Sequence, residues 1–228
     1  MIDVKKNLDD IVKRIEEAKK RAGRTDEVHL LAVSKTIAYD LIDDSIEWGV
    51  RDIGENKVQD LLKRMDHYGD KLNYHFIGGL QRNKVKDIVG RVKLIHSVDS
   101  LRLAKEIDKR AKNAEVIQDC LLQVNVSKEE SKSGVYLEEL EEFVYNVLKL
   151  DNIKIRGFMT MAPFDASEED LRKYFGSLRD AFNKYNKEIP GLDMDYLSMG
   201  MTHDFEIAIE EGANIVRVGS GIYGERNY

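Results

Sequence analysis

The chain has 228 residues, 42% of them hydrophobic and 34% charged, and a formal net charge of −6 at pH 7. This composition excludes an intrinsically disordered chain, and the negative charge argues against non-specific attraction to nucleic acid or anionic membranes, which leaves small-molecule binding as the favoured class of function. Neither a secretory signal nor a run of roughly 18 apolar residues is found, so we expect a cytoplasmic protein that does not enter a membrane.

Hydrophobic periodicity predicts a regular alternation of helices and strands. An amphipathic helix opens the chain, with Leu8, Ile11 and Ile15 on one face and Gly23 as its terminating residue. Eight strands follow, over residues 28–36, 50–53, 74–77, 92–96, 120–126, 153–159, 196–199 and 215–218. The intervening helices are predicted around residues 58–65 and over residues 39–48, 83–89, 99–113, 137–150, 167–186 and 204–211.

Eight strands separated by helices predict an α/β fold of the (β/α)8 TIM-barrel type with an extra N-terminal helix. Such barrels commonly occupy about 200 to 250 residues, so we expect residues 1–228 to form a single domain. The alternation is also compatible with an open doubly wound sheet, although the count of eight favours closure. In a closed barrel, the residues that follow the strands meet at one rim, which carries the active site.

The residues expected at this rim share a chemical character. Lys35 ends the first apolar strand, and Asn56 follows the second. The loops after strands seven and eight, residues 198–202 and 219–221, contain glycines and hydroxyl side chains, which suit a phosphate group because the backbone can approach the anion closely. Taken alone, the sequence of residues 219–221 is more often an ordinary turn.

A lysine opposite a phosphate-binding loop suggests an imine with a phosphorylated aldehyde. A free lysine with a pKa near 10.4 is almost entirely protonated at pH 7, and a protonated amine cannot attack a carbonyl. Burial and the charge of the nearby Arg217 would both lower the pKa of Lys35. Periodicity alone is equally compatible with a lysine that ends a strand and extends into solvent.

Several different short motifs follow one another along the chain. They are residues 32–36 (AVSKT), 54–56 (GEN), 75–78 (HFIG), 80–81 with 83–84 (LQ and NK), 157–163, 198–201 (SMGM) and 216–219 (VRVG). This set, from about Leu31 to Arg226, resembles the pyridoxal phosphate homeostasis protein family. The resemblance implies a barrel like the amino-terminal domain of alanine racemase, with pyridoxal 5′-phosphate (PLP) bound as cofactor.

The resemblance also implies roles for six cofactor-binding residues, namely Lys35, Asn56, Ser198, Arg217, Gly219 and Ser220. Lys35 is implied to form the Schiff base, Arg217 to face the pyridine nitrogen and Asn56 to line the side of the ring. Ser198, Gly219 and Ser220 are implied to hold the phosphate. Two positions depart from the family pattern, because threonine is commoner than Ser220 and serine commoner than Thr202, but both changes keep the hydroxyl.

Two features predict that the chain holds PLP without strong catalysis of its own, so no catalytic residue is assigned. A cationic Arg217 disfavours protonation of the pyridine nitrogen and makes the ring a weak electron sink. Racemases with this barrel add a second domain that contributes a tyrosine base, whereas this chain ends at Tyr228, about ten residues after the last predicted strand. We therefore expect a monomeric protein of intracellular PLP homeostasis and delivery, with apo PLP-dependent enzymes as its partners.

Two rival functions stay open on the residues alone. One is a minimal PLP-dependent amino acid racemase or decarboxylase, whose base would come from the cavity or from a partner chain. The other is a Schiff-base aldolase without PLP. Bound PLP would exclude the aldolase without PLP. Substantial turnover of amino acids would support the racemase or decarboxylase.

The remaining polar residues give weaker signals. Cys120 is the only cysteine, which excludes an intrachain disulfide and a cysteine-based metal site and places the residue in the core. His75 ends an apolar strand, where a hydrogen-bonded core histidine is more common than a ligand, and the other histidines lack metal-ligand spacing. Lys132 lies in the loop of residues 127–134, where it is either a solvated charge or a transient acceptor of PLP from Lys35.

Overall fold

A computed structural model describes residues 2–224, and its eight strands form a closed barrel in the order β1-β2-β3-β4-β5-β6-β7-β8. All neighbouring strands are parallel, and β1 closes the barrel by pairing with both β2 and β8. The strands are β1 His29–Val33, β2 Asp52–Glu55, β3 Asn73–Phe76, β4 Leu94–Val98, β5 Gln118–Gln123, β6 Ile153–Met159, β7 Tyr196–Met201 and β8 Ile215–Val218. The predicted (β/α)8 barrel is confirmed, and the open doubly wound sheet is excluded.

Helices surround the barrel in the described part of the chain. They are α1 Val4–Arg21, α2 Tyr39–Trp48, α3 Val58–Tyr68, α4 Val85–Ile88, α5 Leu101–Asn113, α6 Leu137–Val147, α7 Glu168–Glu188, α8 Phe205–Glu210 and α9 Ser220–Tyr223. Two 3₁₀ turns, Gly69–Lys71 and Arg82–Lys84, complete them. Within residues 2–224, no helix is both long and apolar enough to cross a membrane. Arg226 and Tyr228 lie outside the described residues.

The extra N-terminal helix is α1. Its N-cap Asp3 accepts a hydrogen bond from the backbone N–H of Lys6 at 3.0 Å, which satisfies one of the unpaired donors of the first turn. Its apolar stripe, which includes Leu8, Ile11 and Ile15, is buried where α1 packs against α2, α8 and α9. The helix therefore covers the place where the first and last units of the barrel meet.

The barrel interior is a packed core and not a pore. Its centre is filled by a cluster of buried apolar side chains, namely Leu31, Leu94, Leu121, Met159 and Ile215. A larger apolar cluster lies between the sheet and the helices and includes Cys120, which is fully buried as predicted. The interior cluster separates the carboxyl-terminal mouth of the barrel from the amino-terminal mouth.

Several strand boundaries differ from the prediction, and for the second and fifth strands the reason is local. The second strand was predicted from Val50, but the N–H of Val50 donates to the carbonyl of Ser45 at 2.9 Å and so belongs to the end of α2. The fifth strand was predicted to reach residue 126, but β5 ends at Gln123 because the chain turns back, and Asn125 donates to the carbonyl of Val135 at 2.9 Å. The helix predicted over residues 83–89 is a 3₁₀ turn followed by the short α4.

The first strand is also shorter than predicted, and this changes the setting of Lys35. β1 ends at Val33, so Lys35 lies in a turn beyond the strand and not at its last position. The N–H of Ile37 donates to the carbonyl of Ser34 at 3.1 Å, and Thr36 adopts a left-handed conformation with φ of +64°. The turn therefore carries Lys35 over the rim of the barrel.

Candidate functional site

A cavity of about 400 Å³ lies at the carboxyl ends of the strands. Five of the sequence-predicted residues line it, namely Lys35, Asn56, Arg217, Gly219 and Ser220. Ser198 is fully buried and does not line the cavity, but its hydroxyl accepts a hydrogen bond from Arg217 at 2.8 Å. The fold thus brings the predicted residues together, while their binding to a cofactor stays a prediction.

The turn that presents Lys35 is tied to the barrel by buried polar contacts. The Ser34 N–H donates to the carbonyl of Gly54 at 3.1 Å, which extends the pairing of β1 with β2 by one residue. The Ser34 hydroxyl donates to the Glu55 carboxyl group at 2.7 Å, and both side chains are fully buried. These contacts fix the backbone immediately before Lys35, whose half-buried side chain reaches the cavity.

Arg217 projects from β8 into the barrel and presents a fixed guanidinium to the cavity. It donates to the Ser198 hydroxyl and to the backbone carbonyl of Thr160, each at 2.8 Å, and is only 4% exposed. Burial lowers the pKa of Arg217 to about 10, against the opposing charge of Asp204. Even with this shift the guanidinium carries its charge at pH 7, so a buried cation faces the site.

A row of hydrogen bonds continues from Ser198 through the barrel interior. The Ser198 hydroxyl lies 2.9 Å from Nδ1 of His96, and Nε2 of His96 lies 2.9 Å from Nδ1 of His75. Nε2 of His75 lies 3.1 Å from Oδ1 of Asp52, which also accepts from Lys93 at 2.9 Å. The prediction of a hydrogen-bonded core histidine at position 75 is confirmed.

The loops after β7 and β8 form the glycine-rich and hydroxyl-rich part of the rim. The Ser220 hydroxyl donates to the Thr202 hydroxyl at 3.2 Å, and the N–H of Gly221 donates to the same oxygen at 3.2 Å. A Cβ placed on Gly219 would lie 3.4 Å from the carbonyl oxygen of Val33, so this loop lies close to the end of β1. The two loops predicted to suit a phosphate group are therefore in direct contact.

Asn56 lines the same cavity as Lys35, and its position depends on a glycine. A Cβ on Gly78 would lie only 2.1 Å from the Asn56 carbonyl oxygen, so the loop after β3 can pack against Asn56 only without a side chain there. Oδ1 of Asn56 is buried and lacks a hydrogen-bond partner among the described residues. An unpaired buried acceptor is costly, and a ligand donor in the cavity would satisfy it.

Seven further residues line the cavity, namely Val33, Ile77, Met161, Phe164, Met201, Thr202 and His203. Met201 and Thr202 belong to the predicted phosphate-suited loop of residues 198–202, and Met161 belongs to the motif over residues 157–163. The sequence prediction of the site did not include Val33, Ile77, Phe164 and His203. Phe164 follows β6 in a loop without a recognisable motif; its exposed ring meets the ring of His203 edge to face, with 5.5 Å between centroids.

The charges at the cavity favour an anion. Lys35 and Arg217 are basic lining residues, and the described residues that line the cavity include no carboxylate. Lys132 lies close to the rim, with its Nζ 3.5 Å from the carbonyl oxygen of Met161 and 3.3 Å from the carboxylate of Glu129. In residues 2–224, no group of three histidine, cysteine or carboxylate side chains is arranged to hold a metal ion.

Comparison with known proteins gives a consistent family. The family model for the alanine racemase N-terminal domain matches residues 7–227. A pyridoxal phosphate homeostasis protein of Aquifex aeolicus is 45% identical over 223 residues, which cover 97% of either chain. Among solved structures, an unknown protein from Bifidobacterium adolescentis superposes with a TM-score of 0.92 at 34% identity and covers 98% of both chains.

A further solved relative was determined with PLP bound. PipY from Synechococcus elongatus superposes with a TM-score of 0.83 at 29% identity, and the match covers 97% of this chain and 100% of that chain. Similarity over nearly the full length of each relative, together with the closed barrel, settles the family. The chain belongs to the pyridoxal phosphate homeostasis protein family, within the broader family of alanine racemase N-terminal domains.

Proposed function

We propose that this chain binds PLP as a Schiff base on Lys35 and takes part in PLP homeostasis and delivery. The observation that carries the proposal is the meeting of Lys35, Arg217 and the Gly219-Ser220 loop in one cavity. The PLP-bound relative and the name of the Aquifex aeolicus relative support the same ligand. We extend the proposal to residues 1–228 as one PLP-binding domain.

The chemistry of the cavity fits the parts of PLP separately. The backbone and hydroxyl groups of the touching loops at Thr202 and Ser220 suit the phosphate, and the positive charge that Arg217 brings to the cavity suits its negative charge. Asn56 adds a polar side chain to the wall of the same cavity. The cavity volume of about 400 Å³ lies in the range of small-molecule and cofactor sites.

Arg217 favours a protein that binds PLP without strong catalysis. The resemblance implies that Arg217 faces the pyridine nitrogen. A guanidinium offers N–H donors and no acceptor, so it would donate to that nitrogen only in its unprotonated form. When bound, PLP supplies an aldehyde for Lys35 and an electron sink that is weak as long as its nitrogen stays unprotonated. We therefore propose a carrier without strong catalysis, with apo PLP-dependent enzymes as receivers and a monomer as the working form.

Covalent trapping tests the proposal. The purified protein, incubated with PLP and reduced with borohydride, should gain the pyridoxyl mass on the peptide that contains Lys35, and Lys35→Ala should lose both this mass and the visible absorbance of bound PLP. A wild-type protein that stays colourless and unlabelled would refute PLP binding. Substantial racemisation or decarboxylation of single amino acid enantiomers by the loaded protein would refute the carrier role and leave PLP binding intact.

A further inference from the structure

We propose that His96, His75 and Asp52 are positioning residues that orient the Ser198 hydroxyl and, through it, hold the Arg217 guanidinium at the cavity. This inference rests on the proposed function for its effect on PLP, but the hydrogen-bond chain itself can be tested without PLP. Ser198 then acts on the cofactor site by fixing Arg217, and its hydroxyl is not available as a donor to the phosphate.

The chain of side chains crosses the barrel from one mouth to the other. Asp52 lies at the start of β2 and lines a second cavity at the amino-terminal mouth, together with His75 and Lys93. His96 is fully buried in β4, and Arg217 faces the opposite mouth. Each contact is a hydrogen bond between buried or half-buried groups, so water does not compete with the fully buried members.

The carboxylate at one end determines the direction of every bond. Burial works to raise the pKa of Asp52, but hydrogen bonds from His75 and Lys93 outweigh it and hold the pKa well below its ordinary value. Asp52 is therefore ionised at pH 7 and accepts only, which requires a proton on Nε2 of His75. A neutral His75 then accepts through Nδ1, and the only available donor is Nε2–H of His96.

The direction of the hydrogen bonds at the Ser198 hydroxyl follows from the His96 tautomer. Because His96 carries its proton on Nε2, its Nδ1 accepts from the Ser198 hydroxyl. A serine hydroxyl has one proton, and this one is committed to His96. The lone pairs of Ser198 Oγ are left to accept from Arg217, so the serine cannot rotate away without breaking two bonds. All the donors in the chain thus point toward Asp52.

The surroundings keep both imidazoles neutral, as this direction requires. Burial lowers the pKa of His75 against the opposing effect of Asp52, while Lys93 and His29 act in the same direction as burial. Burial lowers the pKa of His96 still further, and the neighbouring His75 and Arg217 add to the effect. A protonated His75 would have to donate through both nitrogens and would reverse every bond up to Ser198.

Imidazole nitrogen NMR tests the direction without PLP. Long-range ¹H–¹⁵N correlation spectra of the whole protein at pH 7 should show protonated Nε2 and unprotonated Nδ1 in both His75 and His96. The Arg217 side chain should give separate, slowly exchanging Nη signals, because two hydrogen bonds restrict its rotation. An Nδ1–H tautomer at His96, or rapid rotation of the Arg217 guanidinium, would overturn the proposal.

Variants of His96 test the effect on the cofactor. His96→Leu removes the hydrogen bonds of His96 to Ser198 and to His75. Because the Ser198 hydroxyl then no longer holds the charged Arg217 in place, PLP binding should weaken by about 10-fold. The absorbance of bound PLP should also shift. His96→Gln should restore affinity and absorbance, because its amide offers one acceptor for Ser198 and one donor for His75. Leu121→Ala opens a cavity in the same interior and should lower stability without changing the absorbance or the Arg217 signals.

The outcomes separate this inference from the proposed function. If wild type does not bind PLP, the proposed function fails, and the NMR spectra of apo wild type and His96→Leu still decide whether the chain holds Arg217. If wild type binds PLP and His96→Leu binds it with the same affinity, absorbance and Arg217 signals, the positioning role fails while the proposed function stands. If His96→Leu and Leu121→Ala lost PLP affinity and the Arg217 signals equally, His96 would be only a packing residue, and the proposal would also be refuted.

Discussion

Arg64 on α3 lies beneath the turn that carries Lys35 and donates a hydrogen bond to the carbonyl oxygen of Ile37. The same guanidinium lies 3.4 Å from the carbonyl oxygen of Ser34 and stacks over the ring of Tyr39, with 4.2 Å to the centroid. One buried side chain from a neighbouring unit therefore holds both ends of the turn. The position of Lys35 over the cavity depends on a residue that does not line the cavity.

Replacement of Arg64 by methionine should destabilise the protein and loosen the Lys35 turn. The Arg64 Nε lies 3.5 Å from the fully buried carboxyl group of Glu55, whose pKa is raised by burial. Loss of the cation from a buried pair costs about 3–5 kcal/mol of unfolding free energy, because an uncompensated charge is left behind. Urea unfolding measures the stability loss, and absorbance titration measures a weaker affinity for PLP.

A double variant separates the two effects. Arg64→Met with Glu55→Gln removes the buried charge and keeps an acceptor for Ser34, so most of the stability should return. The affinity for PLP should stay low, since the carbonyl of Ile37 still lacks its donor. Recovery of affinity together with stability would show that Arg64 acts on global stability alone and not on the turn.

The barrel could be predicted from the sequence because its signals are local. Apolar runs such as residues 30–33 mark buried strands, and the number of these strands and their alternation with helices determine the fold. The positions of Lys35, Asn56 and Arg217 at or after the ends of strands predicted that they meet at the rim, and the motif resemblance implied their roles. These predictions needed only the order of residues along the chain.

The support of the site could not be predicted, because it depends on contacts between distant segments. Arg64 and Ile37 are 27 positions apart, and Ser198 and His96 are 102 apart, and no sequence period relates such pairs. The resemblance assigned Ser198 to the phosphate, whereas its hydroxyl is engaged by Arg217 and His96. Which partner uses a hydroxyl is decided by three-dimensional packing.

Gly78→Ala should damage the cavity, whereas Gly79→Ala should be neutral. A Cβ on Gly78 would lie 2.1 Å from the backbone oxygen of Asn56, so Asn56 must move from its place in the cavity wall. We expect about 10-fold weaker PLP binding and a stability loss of about 1–3 kcal/mol from overpacking. Gly79 is the matched control, because a Cβ there has no atom within 4 Å. Equal titration curves for the two variants would contradict the role assigned to Gly78.

Because His75 and His96 are buried, we expect the free energy of unfolding to fall as the pH falls below about 6.5. The pKa of His96 is lowered well below its ordinary value in the folded state, mainly by burial, so the unfolded chain takes up a proton there that the folded chain does not. Stability is therefore complete above the unfolded pKa and is lost on acidification, by about 1.4 kcal/mol per pH unit for each such histidine.

The contribution of His96 is found by comparing the pH dependence of the unfolding free energy in two proteins. Urea unfolding of wild type and His96→Gln between pH 6.5 and 5.5 should give a shallower dependence for the variant, by about one proton. Titrating groups distant from His96 are common to the two proteins and cancel in the difference, and the amide introduced by His96→Gln keeps a donor for the neighbouring His75. Identical slopes would mean that His96 is protonated in the folded state over this range, which would also contradict a neutral hydrogen-bond chain.

Lys132→Ala should slow the transfer of PLP to an apo-enzyme and leave the affinity for PLP at Lys35 unchanged. The Lys132 amine lies beside the carbonyl of Met161, a residue that lines the cavity, so it is placed to accept the aldehyde as it leaves Lys35. Lys128→Ala is the matched control, because Lys128 is on the same loop but pairs with Glu138 on the exposed surface. Single-turnover transfer, followed by recovery of apo-enzyme activity, should be several-fold slower for the first variant only. A rate equal to that of wild type would show that Lys132 is a solvated loop charge and that PLP leaves Lys35 without it.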